Sequence, residues 1–139
     1  MAVHSRTGAV YALKCLRKSQ VVALRQQENI RTERALLWAT NHPFIIALYD
    51  TYRDAERVYL LLELVQGGEL FSRLQQSEDG AIPLADARFY AACVLDALGY
   101  LHDRSVCYRD LKPENLLIDA QGYIKLVRAF GGGVGDANP

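Results

Sequence analysis

The chain has 139 residues, half of them hydrophobic, with 16 basic and 16 acidic side chains and a formal net charge of zero. That is room for one small domain with a real core, and the balance lacks the basic excess of nucleic-acid and anionic-membrane binders. No apolar run approaches the roughly 20 residues of a membrane span, and no signal-peptide pattern opens the chain. Cys15, Cys93 and Cys107 form an odd set without CxxC spacing. They read as reduced intracellular thiols, and a cytoplasmic location is expected.

In chain order, Thr7-Gly8 reads as a turn between a short strand at Ala2-Val3 and a second strand from Ala9 to Leu16. The pattern is helical from about Ser19 to Ala39, with Ile30, Leu36 and Leu37 near one face. Asn41-His42-Pro43 ends it, because the residue before proline avoids the helical region. Strands at about Ala47–Tyr52 and Arg57–Leu64 flank the polar link Arg53-Asp54-Ala55-Glu56, which suits a hairpin. Gly67-Gly68 opens a short helix from Glu69 to about Gln76. Pro83 suits the first turn of a long helix ending at His102. That helix is apolar nearly all round, so neighbours are expected on every side. Strands Leu116–Ile118 and Tyr123–Val127 flank the turn Asp119-Ala120-Gln121-Gly122. Residues 128–139 are glycine-rich and aperiodic, and read as a disordered tail.

The chemistry concentrates in Tyr108-Arg109-Asp110-Leu111-Lys112-Pro113-Glu114-Asn115. An Asp and an Asn five residues apart, with a Lys between them, is the layout of a phosphoryl-transfer loop. Asp110 could accept the proton of an attacking hydroxyl, and Lys112 could reach the transferring phosphate. Asn115 offers a carbonyl oxygen, a hard ligand suited to Mg2+.

On these residues the chain resembles the catalytic domain of a eukaryotic Ser/Thr protein kinase. Tyr108, the run Asn115-Leu116-Leu117-Ile118-Asp119, Gly67-Gly68-Glu69-Leu70-Phe71 and Ala87-Arg88-Phe89-Tyr90-Ala91 are similar to the cyclic-nucleotide-dependent branch of the AGC group. Within it the cGMP-dependent, or cAMP-dependent, kinases are the nearest type. The resemblance covers about residues 2–127. It implies an α+β, bilobal kinase-like fold: an antiparallel N-lobe sheet plus one helix over residues 1–64, then an incomplete helical C-lobe over 65–127.

The resemblance also implies roles. Lys14 would hold the α and β phosphates of ATP, and Glu33 rather than Glu28 would pair with it. Glu63, Leu64 and Val65 would form the hinge that binds adenine, with Leu62 as gatekeeper and Ala12 and Leu117 as the apolar surfaces about the ring. Asp110 and Lys112 would be catalytic, and Asn115 would bind metal. Glu69 and Glu114 would read Arg or Lys near the phosphoacceptor of a protein substrate. Leu37, Leu48 and Tyr108 would belong to an apolar column coupling the lobes, and His102 reads as a packed structural histidine.

Some family features are missing. The Gly-rich loop would precede Met1, and the activation segment and later C-lobe helices would follow Pro139. Arg128 stands where the metal-binding Asp is due, and a one-residue slide aligns Ala129-Phe130-Gly131 with Asp-Phe-Gly, still without the acid. Asp136 lies nearby in the tail without a framing motif. The expectation is a Ser/Thr kinase fragment truncated at both ends and inactive by itself, with weakened Mg2+ binding. The abrupt change at 128 suggests a gene-model error. The alternative is a non-catalytic, pseudokinase-like module that binds nucleotide, or a protein partner on an exposed C-lobe surface.

Overall fold

The computed structural model describes residues 1–77 and 79–127. The expected tail disorder, Arg128 and Asp136 therefore lie outside the described residues. The chain is α+β and divides into two compact units. The first comprises Met1–Asn41 and Ala47–Leu64, and the second comprises His42–Ile46 and the chain from Val65 on.

The first unit is built on an antiparallel sheet of β1 (Ala2–Val3), β2 (Val10–Arg17), β3 (Leu48–Arg53) and β4 (Arg57–Leu62), in the order β1-β2-β4-β3. Branched and aromatic residues favour these strands. The β3–β4 link is pinned by Asp54. Its Oδ1 accepts the backbone N–H groups of Glu56 at 2.8 Å and Arg57 at 2.7 Å, and its Oδ2 accepts the Tyr59 hydroxyl at 2.7 Å. The Tyr59 hydrogen bond is the first of the causes that hold the Asp54 carboxyl below its ordinary range.

The helix expected over 19–39 is two helices, α1 (Lys18–Ala23) and α2 (Gln27–Ala39). The break is a left-handed C-terminal turn. Arg25 has φ 53°, its N–H donates to the Val22 carbonyl, and the Gln26 N–H donates to the Val21 carbonyl. Glycine usually announces such a turn, and Arg25 gives no such signal. Helix α2 buries Ile30, Glu33 and Leu37, three and four residues apart on one stripe, and packs on β3. Leu36, expected on that face, is only half-buried.

The second unit holds α3 (Leu70–Gln75), α4 (Leu84–His102), a 3-10 turn at Pro113–Asn115, and the antiparallel pair β5 (Leu116–Ile118) and β6 (Ile124–Leu126). Residues 42–46, inside the span expected for the first lobe, are hydrogen-bonded to β6. The Ile46 N–H donates to the Leu126 carbonyl at 3.0 Å, and the Leu126 N–H donates to the Phe44 carbonyl at 2.8 Å. His42 holds this segment to α4, with Nε2 3.5 Å from Asp96 Oδ2 and its ring against Tyr100.

Helix α4 buries Tyr90, Cys93, Val94, Ala97 and Leu101 and packs on β6. Burial on all sides was expected; instead Leu84 and Leu95 are exposed, because the described neighbours cover one face only. His102 is also exposed, contrary to the expectation of a packed histidine. It sits one residue past Leu101 and so about 100° around the helix from the buried stripe. Leu60, Ile124 and Leu126 have essentially no accessible surface. Among the described residues, no helix is long and apolar enough to cross a membrane.

Candidate functional site

In the first unit, Lys14 lies on β2 opposite Leu60, and Glu33 lies on the inner stripe of α2. Strand alternation puts Lys14 and Ala12 on one face of β2 and Leu13 on the other. Burial pushes the Lys14 ammonium below its ordinary pKa, and the negative charge of Glu33 opposes that shift. The two charges therefore act on one another. Glu33 is 3% exposed, whereas Glu28 is exposed and forms an i,i+3 pair with Arg31 at 3.1 Å.

Ala12 pairs with Leu62, which is buried. Glu63 follows β4 directly. Its N–H donates to the Ala47 carbonyl at 2.9 Å, and its Oε2 accepts the Ala47 N–H at 3.3 Å. That backbone N–H is thus committed to the fold. Val65 falls in the second unit.

In the second unit, the loop after α4 begins with a tight reversal. The Asp110 N–H donates to the Tyr108 carbonyl at 2.9 Å around Arg109, whose φ is 64°. This is a γ-turn of the rare, strained kind. The buried Tyr108 anchors it by donating its hydroxyl to the Val127 carbonyl at 2.6 Å. Sequence reasoning gave Tyr108 only an apolar role; the signal for this anchor was the hydroxyl on an otherwise apolar position.

Both oxygens of Asp110 are engaged. Lys112 Nζ lies 3.2 Å from Oδ1, and Asn115 donates Nδ2 to Oδ2 at 2.9 Å and to the Asp110 carbonyl at 2.7 Å. The Asn115 hydrogen bond, then that of Lys112, holds the Asp110 carboxyl below its ordinary pKa against a smaller effect of burial. Asn115 is 7% exposed, and its own carbonyl accepts the Val127 N–H at 2.9 Å. The expected base, cation and metal ligand are therefore one hydrogen-bonded cluster. Glu114 lies exposed on the same 3-10 turn.

Glu69 is exposed at the N-cap of α3, and its backbone bridges to Leu117 of β5. The Gly67 N–H donates to the Ile118 carbonyl at 2.8 Å, and the Ile118 N–H donates to the Gly68 carbonyl at 2.9 Å. A Cβ on Gly67 would stand 2.4 Å from the Ile118 carbonyl oxygen. Only glycine permits this approach, which sets the position of Glu69.

Among the described residues, no group of three or more His, Cys, Asp and Glu side chains could hold a metal ion. Asn115 has Nδ2 committed to Asp110, which leaves Oδ1 as its donor. Mg2+ demands octahedral oxygen coordination, commonly with a carboxylate. The residues described do not by themselves fit a Mg2+ site.

The family model for the protein kinase domain matches residues 1–131. A cGMP-dependent protein kinase of Toxoplasma gondii is 48% identical over 124 residues, covering 89% of this chain and 12% of that protein. One from Plasmodium berghei is 45% identical over 127 residues, 91% of this chain and 15% of that protein. A cAMP-dependent protein kinase catalytic subunit of Dictyostelium discoideum is 46% identical over 123 residues, 88% and 19% respectively. The chain thus spans less than a fifth of the length of these relatives.

Proposed function

We propose, from the premise that this chain belongs to the protein kinase domain family, that it serves as a cGMP-dependent-kinase-like protein serine/threonine kinase. It would transfer the γ-phosphoryl group of ATP to Ser or Thr of proteins with Arg or Lys near the phosphoacceptor. The family as a whole uses ATP with Mg2+. The observation that carries the reading is the Asp110 cluster. Lys112 and Asn115 hold the carboxylate from both sides and stabilise its ionised form. An ionised, oriented carboxylate can take the hydroxyl proton as the oxygen attacks the γ-phosphorus and the bond to the β–γ bridging oxygen breaks. Lys112 would lend positive charge to the phosphoryl oxygens.

In the first unit, Lys14 would hold the α and β phosphates with Glu33 fixing its ammonium. Ala12 and the backbone of Glu63 and Leu64, in the same unit, would meet adenine; in the second unit Asn115 Oδ1 would be one oxygen offered to a metal that the described residues do not hold by themselves. Glu69 and Glu114 would read basic substrate residues through opposite charge. A cytoplasmic site of action fits these assignments. In the full-length gene product, transfer of label from ATP to an Arg-rich serine peptide tests the reading. Equal rates in the intact protein and its Asp110→Asn variant would overturn it.

A second reading, nucleotide binding without turnover, is favoured by the sequence: an arginine stands at 128, where the resemblance puts the metal-binding Asp. An ATP titration followed by thermal unfolding separates the two. Stabilisation equal with and without Mg2+, and lost in Lys14→Met, supports the second. Stabilisation that requires Mg2+ supports the first.

A further inference from the structure

One feature of the first unit lies outside the nucleotide and transfer residues. The β2–β4 register places Arg17 directly opposite Arg57. Side chains so paired stand on one face with Cβ atoms roughly 5 Å apart, and like charges there destabilise the sheet. Both arginines are exposed. They line a cleft of about 560 Å³ with Lys18, Ser19, Ala55 and Glu56. The backbone fixes this geometry: the Lys18 N–H donates to the Glu56 carbonyl at 2.8 Å, and Lys18 Nζ donates to the Asp54 carbonyl at 2.6 Å. Ser19 therefore lies in the first turn of α1 at the hairpin rim, exposed, with Arg17 two residues before it and Arg57 across the cleft. Glu56 lines the cleft and the Asp54 carboxylate acts on Arg57 from the link, so the three cations outnumber the carboxylates by one.

We propose that Ser19 is a phosphorylation site, and that Arg17 and Arg57 receive the phosphoryl group. The donor is ATP and the catalyst a basophilic Ser/Thr kinase acting in trans. Ser19 Oγ forms the bond to the γ-phosphorus, the bond to the β–γ bridging oxygen breaks, the hydroxyl proton passes to that kinase's base, and ADP departs. The phosphoserine then carries close to two negative charges and strong acceptor oxygens between two planar guanidinium donors, which match phosphate geometry. The repulsion between Arg17 and Arg57 becomes a shared attraction that ties α1 to the hairpin.

The test uses the full chain. Incubation with ATP and a basophilic Ser/Thr kinase, followed by peptide mapping, should place phosphate on Ser19, with none on that peptide in Ser19→Ala. Phosphoserine incorporated at 19 during translation should raise Tm by roughly 3–6 °C. The rise should vanish when Arg17→Gln and Arg57→Gln are combined. The unphosphorylated double variant should be at least as stable as the parent. Phosphorus NMR gives a readout independent of the variants: the second phosphate pKa should lie below its ordinary value of about 6. Absence of phosphate at Ser19 would overturn the proposal. So would an unchanged or lowered Tm, an unshifted phosphate pKa, or a gain that survives loss of both arginines.

Discussion

Replacing Gly67 by alanine should damage this protein more than replacing its neighbour Gly68, although Gly68 has the less permissive backbone angle. The added Cβ at 67 would stand 2.4 Å from the Ile118 carbonyl oxygen and 2.9 Å from its carbon. Neither is the end of a flexible side chain, so the loop and β5 must part. The separation strains two backbone hydrogen bonds, Gly67 to Ile118 and Ile118 to Gly68. At about 0.5–1.5 kcal/mol each they contribute about 1–3 kcal/mol. Overpacking in the surrounding structure adds about 1–3 kcal/mol, for a total of about 2–6 kcal/mol. For a chain of this length that lowers Tm by roughly 6–18 °C. At Gly68 a Cβ meets nothing within 4 Å, and only the left-handed φ of 80° opposes it, which costs about 1 kcal/mol. Urea denaturation of both variants gives the comparison. A Gly67→Ala variant within about 0.5 kcal/mol of the parent, or one more stable than Gly68→Ala, would refute the close-approach argument.

Leu60→Ala should cost about 2–5 kcal/mol in urea unfolding, since Leu60 is fully buried at the centre of the first sheet. Arg25→Gly should stabilise by about 0.5–1 kcal/mol in the same assay, because glycine adopts the left-handed turn between α1 and α2 without penalty. Asn115→Ala should raise the Asp110 pKa toward the ordinary carboxylate value, read by carboxyl NMR titration, since Asn115 is the largest cause of its depression. Because that folded pKa is depressed, the stabilisation from Asp110 is fully present above the unfolded value of about 3.9. It is lost as pH falls through the lower folded value, and in acid unfolding Asn115→Ala should keep only the part of this component that Lys112 supplies.

Much of the fold was legible because hydrophobic alternation and turn chemistry are local. Asp54, Asp119 and Gly122 sit in turns flanked by apolar runs, and the strands β2, β3 and β4 fall within two residues of their expected ends. The break at Arg25 was not legible, because the left-handed turn is made by a residue type that rarely adopts it. The exposure of Leu95 and His102 on α4 was not legible either: composition gives a helix its apolar faces, but the packing partners decide which of them is covered. At the site, the residue types of the loop at 108–115 were plain. Their hydrogen bonding was not, since Asn115 read as a metal ligand and also serves as a clamp on Asp110. Glu33 stood out from Glu28 only by its spacing from Lys14. Burial now separates them, because an exposed i,i+3 pair such as Glu28–Arg31 contributes little.

The most direct test of the proposed function is phosphoryl transfer from ATP to an Arg-rich serine peptide by the full-length gene product and its Asp110→Asn variant, with ATP affinity measured in parallel. General-base catalysis contributes about 10²–10⁴-fold. The account predicts transfer by the parent, a loss of at least about 100-fold in Asp110→Asn, and unchanged ATP affinity. Equal transfer rates in the two proteins would contradict it.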